Sequence, residues 1–212
     1  MVAYDYGLRV QLVRIQDQYE RLETLAMALT PSNMLPLGTE APDFSLPDTI
    51  SGEEISLADA KSDVATVIMF ICNHCPYVLH VNEELVRLAE DYKARGVSFV
   101  GISSNDVENY PQDGPEEMRR HAAEVGYPFP YLYDETQTVA QAYDAACTPD
   151  FFVFDGDLRL AYRGRLDGST PGNDVPLTGR DLRAALDAVI EGKPAPEDQQ
   201  PSMGCNIKWR AA

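Results

Sequence analysis

Cys72-Asn73-His74-Cys75 stands between the apolar run at residues 64–71 and Pro76. Two thiols at this spacing can close into a disulfide. An apolar run followed by a proline predicts a strand that turns into a helix. A cysteine at a helix N-terminus meets free backbone N–H groups and the positive end of the helix dipole, and both favour thiolate over thiol. The thiolate is the form that attacks disulfides, so the residue types and their spacing point first to thiol chemistry.

Two registers place these thiols differently. In one, Cys72 caps the helix and Cys75 lies one turn inside. In the other, Cys75 is the cap and Cys72 sits in the preceding loop. In the first register the Pro76 ring presses on the carbonyl of Cys72 and drives Cys75 away from helical dihedrals. In the second, Pro76 is the first helical residue, where proline is preferred. The second register is favoured. Cys75 is then the nucleophile, its sulfur facing the first-turn N–H groups, and Cys72 is the resolving thiol. Pro76 sets this geometry. His74 would lower the Cys75 pKa further if protonated and only hydrogen-bond if neutral.

The pair could instead be half of a zinc site, with further ligands drawn from His74, His80, His121, Cys147 and Cys205. No second cysteine pair repeats the spacing and no histidine pair shares a helical turn. No metal and no cofactor are expected. Cys147-Thr148-Pro149 precedes the apolar strand 151–154. A cis proline there would expose the Thr148 backbone to an extended substrate, so Thr148 and Pro149 are candidate binding residues. Cys205 and Cys147 are secondary redox candidates. Cys205 reads as a structural anchor or as a thiol brought back over the site by the tail, and Cys147 as a small packed residue.

The elements that must position these groups follow from periodicity. Leu8, Leu12, Ile15, Tyr19, Leu22, Ala26 and Leu29 form a heptad-like stripe ending near Thr30-Pro31. It predicts a helical extension over 1–34, which either packs on its own domain or pairs two chains into a homodimer. Residues 35–212 form the main domain. Strands are expected near 54–57, 64–71, 97–102, 151–154 and 158–164. Helices are expected over 76–95, 115–125, 136–146 and 179–190. The order β-α-β-α-α-β-β-α predicts an α/β fold, one sheet with helices on both faces.

The chain has 212 residues, 44% of them hydrophobic, which suits a packed core. Its formal net charge of −17 opposes binding to nucleic acid or to an anionic membrane. No apolar stretch approaches the roughly 20 residues of a membrane span. The first residues lack a basic segment followed by an apolar core, so a cytoplasmic location is expected. There thiols are mostly reduced, and four cysteines are too few for a secreted disulfide scaffold.

With these residues read, the chain resembles the thioredoxin-like superfamily, in its peroxiredoxin-like (redoxin, AhpC/TSA-type) branch. The matching stretches are 38–47, 70–78, Thr148-Pro149, 164–167 and 204–209. The resemblance implies a thioredoxin-like fold with a central mixed sheet. It implies that Cys75 occupies the place of the peroxidatic cysteine. The chain departs from peroxiredoxins at Cys72, where they carry threonine, and at Pro149, where they carry arginine; both groups help bind and polarise peroxide. It departs from thioredoxins at Val78, where they carry a second cysteine. The expected activity is thiol–disulfide oxidoreduction on protein or small-molecule disulfides, supported by a cellular thiol reductant. The alternatives are a thiol peroxidase with an antioxidant role and a non-enzymatic metal-binding or scaffold protein.

Overall fold

The computed structural model describes residues 29–211. The chain begins with β1 (Leu29–Pro31), β2 (Ser45–Pro47), β3 (Glu54–Ser56) and the single-turn α1 (Leu57–Ala60). The βαβ unit β4 (Ala65–Phe70), α2 (Pro76–Lys93) and β5 (Val97–Ser103) follows. Then come α3 (Pro115–Val125), β6 (Tyr131–Tyr133), α4 (Thr138–Ala142) and β7 (Cys147–Thr148). The hairpin of β8 (Asp150–Asp155) and β9 (Leu160–Gly164) leads to α5 (Arg180–Ile190) and β10 (Met203–Asn206).

The main sheet has the order β6-β5-β4-β8-β9. β4 pairs parallel with β5 and antiparallel with β8, so the sheet is mixed. All six residues of β4 are buried, as a central strand covered on both faces requires. Its side chains alternate between two cores. Ala65, Val67 and Met69 pack with Leu85 and Leu88 of α2 and with Leu182 and Leu186 of α5. Ile68 and Phe70 pack with Leu57 of α1 and with Val139 and Ala140 of α4. Gly96 ends the βαβ helix at φ 82°, a conformation glycine tolerates without a side-chain penalty.

A second sheet has the order β1-β10-β7. It carries the tail of the chain back to the start of α2, and it is what brings Cys205 to the site. This sheet changes the reading of the heptad stripe. Its last member, Leu29, opens β1 and pairs with Cys205; residues 29–34 of the expected extension are strand and loop, not helix, and the part before Leu29 lies outside the described residues. Several elements go beyond the sequence expectation: β1, β2, β6, β7, β10 and α1. Ser56 and Asp59 form a reciprocal capping box that starts α1. β6 is a third parallel strand, only three residues long and fully buried. Among the described residues, no helix is long and apolar enough to cross a membrane.

Candidate active site

Cys75 is the N-cap residue of α2 and Pro76 is its first helical residue. The loop from β4 delivers Cys72 one turn earlier. Cys72, Cys75 and Cys205 are only 1%, 0% and 4% exposed, and all four cysteines are free thiols. Cys75 Sγ lies 3.0 Å from Cys205 Sγ and 3.2 Å from the carbonyl oxygen of Thr148. Cys72 Sγ lies 3.4 Å from Thr148 Oγ1. Cys75 is therefore the middle sulfur of three.

The position decides which thiol ionises. Hydrogen bonds from the Cys205 and Cys72 thiols, joined by the Cys205 backbone and the Thr148 side chain, hold the Cys75 pKa far below the usual thiol range against its burial. Burial, then the bond to Cys75, pushes Cys72 well up. The bond to Cys75, then burial, pushes Cys205 up. This replaces the cause expected from sequence. The sulfur makes no capping bond to the first turn of α2. The Val78 and Leu79 N–H groups donate instead to the Cys75 carbonyl, each at 3.0 Å.

His74 does not hydrogen-bond to any cysteine sulfur among the described residues. Its Nδ1 lies 2.6 Å from Asp113 Oδ2, and its ring stacks on Tyr110. Asp113 is fully buried and also accepts from the Asn73 N–H and from Asn105 Nδ2, both at 2.8 Å. It pins the loop between the two cysteines. Asp113 sits in a polar loop and carried no sequence signal. Cys72, His74 and Asp113 bring three potential metal-ligand atoms within 4.8 Å of one another. His80 and His121 are elsewhere, bonded to Ser169 and Asn82. Cys147 is buried against the Pro149 carbonyl, and burial pushes its pKa up.

The Thr148–Pro149 bond is cis. The Thr148 edge, expected to dock substrate, is taken by the chain's own β10, which pairs Cys205 with Thr148 and Asn206 with Cys147. Gly204 permits this approach. A Cβ at that position would stand 2.0 Å from the Thr148 carbonyl oxygen, so the strands would have to separate. We expect Gly204→Ala to cost about 2 kcal/mol or more, read as a lower urea unfolding midpoint.

The rest of the tail is tied down by long-range hydrogen bonds. The Lys208 N–H donates to Asn105 Oδ1 at 2.9 Å, and its carbonyl accepts from the Asp106 N–H and from Gln137 Nε2, both at 2.8 Å. Ile207 is buried, whereas Trp209 is exposed. Beside the thiols, a cavity of about 80 Å³ is lined by Tyr77, Pro149, Arg165, Ser169 and Met203.

The AhpC/TSA family matches residues 37–163. The chain belongs to this family. It is 63% identical to an uncharacterized conserved protein from Geobacillus kaustophilus, covering 87% of this chain and 98% of that one with a TM-score of 0.86. It is 48% identical to a hypothetical protein from Sinorhizobium meliloti, covering 86% and 100% with a TM-score of 0.84. A thiol:disulfide interchange protein of the thioredoxin family from Chlorobium tepidum shares 18% identity over 74% of this chain and 99% of its own, with a TM-score of 0.56. That likeness shows the fold, which is thioredoxin-like. The search of curated proteins found no match.

Proposed function

We propose that the protein is a cytoplasmic thiol–disulfide oxidoreductase that uses Cys75 as its attacking sulfur. One observation carries this reading: the Cys75 sulfur sits between two other thiols, at 3.0 Å from one of them, and its thiolate is favoured by them. Cys75 attacks a substrate disulfide, a second thiol of the chain displaces the substrate, and a cellular thiol reductant reopens the internal disulfide. Cys72 is the partner that the sequence spacing offers for the second step. Thr148 and Pro149 form the wall against which the reacting sulfurs lie.

A thiol peroxidase on the same fold is the second reading, favoured by the family match and by the N-cap position of Cys75. The missing threonine and arginine speak against it. Among the described residues, no arginine hydrogen-bonds to the Cys75 sulfur. The two activities separate in one assay series. With dithiothreitol as reductant, we expect reduction of insulin disulfides well above the uncatalysed rate and little consumption of hydrogen peroxide. Fast peroxide turnover that disappears in Cys75→Ser would replace the reductase reading with the peroxidase one.

A further inference from the structure

We propose that Cys205, on the C-terminal strand, is the thiol that resolves the intermediate on Cys75. The inference rests on the oxidoreductase reading and names the partner that reading leaves to sequence spacing. Three observations carry it. The Cys205 and Cys75 sulfurs are 3.0 Å apart, so about 1 Å of movement would bring them to the 2.05 Å of a disulfide. The Cys72 sulfur divides its contacts between Cys75 and Thr148 Oγ1. And β10 lies antiparallel on Thr148 as a docked extended peptide would. It presents a cysteine sulfur where such a peptide would present its own.

The steps balance as two consecutive exchanges. The Cys75 thiolate attacks one sulfur of a substrate disulfide, forming a Cys75–substrate bond and releasing the first substrate thiolate, which takes a proton from solvent. Cys205 loses its proton and attacks the Cys75 sulfur. A Cys75–Cys205 bond forms, the bond to substrate breaks, and the second substrate thiolate leaves and is protonated. The substrate disulfide gains two electrons, and Cys75 and Cys205 lose them. A reduced dithiol reverses the change in the protein.

The order of ionisation follows from the same contacts. While Cys75 is a thiolate, its bond to Cys205 disfavours a second anion there. Once Cys75 is in the mixed disulfide, that charge is gone, and the Lys208 ammonium favours the Cys205 thiolate. Gly204 keeps the strand close enough for the attack.

The test is disulfide mapping of the full chain. Reduced protein is treated with DTNB, quenched in acid, alkylated, digested and read by mass spectrometry without reduction. The expected product links the Cys75 and Cys205 peptides. A Cys72–Cys75 link would overturn the inference and leave the oxidoreductase reading standing. An unreacted Cys75 would overturn both. In parallel, Cys205→Ser is expected to hold thionitrobenzoate on Cys75 and release a single equivalent. Release of a second equivalent at the wild-type rate would also overturn the inference. Mapping of the wild-type chain does not depend on how well that variant folds.

Discussion

Replacing Cys75 by serine should remove the protein-catalysed reduction of insulin disulfides, a loss of at least about a thousandfold in the catalysed rate, because the serine hydroxyl stays protonated where the thiolate would attack. The fold should survive. Cys75 is the N-cap residue, and serine is well suited to that position. The loss therefore belongs to chemistry, and an unchanged circular dichroism spectrum would establish it. The pH profile gives the same assignment independently. An ordinary thiol, with a pKa of about 8.5, gains roughly tenfold in alkylation rate per pH unit up to that value. Cys75, held far below that range by the thiols of Cys205 and Cys72, should react at a nearly constant rate from about pH 5 to pH 8. Cys205→Ala removes the larger of these two influences. Its Cys75 alkylation profile should move upward in pH. A profile that rises like a free thiol in the unaltered protein would remove the electrostatic basis of the assignment.

Much of this site was legible in the sequence because local sterics decide it. Pro76 tolerates one helical register far better than the other, and the structure has Cys75 at the N-cap. The apolar run before it has the length and β-branched content of a strand buried on both faces, and β4 is one. What was not legible depends on contacts between distant parts of the chain. The lowered Cys75 pKa was assigned to the helix end, but its cause is a thiol 130 residues away. That thiol is placed by tail bonds to Asn105, Asp106 and Gln137. No periodicity announces such bonds, which join single polar residues of separate loops. β6 was missed for a related reason. Three residues between prolines and a turn are too short to show alternation, and the strand exists because the edge of β5 is there to pair with it. Leu29 fits the helical stripe in spacing, yet pairing with Cys205 makes it a strand residue.

Oxidation should stabilise the fold, and the size of the gain reports which cysteines pair. A Cys75–Cys205 disulfide would close a loop spanning 130 residues. The chain-entropy relation gives about 5 kcal/mol for a loop of that length, whereas a four-residue ring between Cys72 and Cys75 gives about 2 kcal/mol. Native strain lowers either figure. It should be small for Cys75–Cys205, whose sulfurs are already in contact while both thiols are reduced. With a urea dependence of about 2 kcal/mol per molar, the larger gain raises the unfolding midpoint by about 2.5 M and the smaller by about 1 M. The comparison is made on one protein, with and without dithiothreitol, so the amino-acid sequence does not vary. A gain of the smaller size would assign the disulfide to the CxxC pair. A gain of the larger size has a consequence for the cycle. The disulfide would fasten β10 to the start of α2, and reduction would leave the strand over the Thr148 edge held by its hydrogen bonds alone. The tail would then be held most firmly when the protein has just been oxidised, and least firmly when Cys75 is ready to attack.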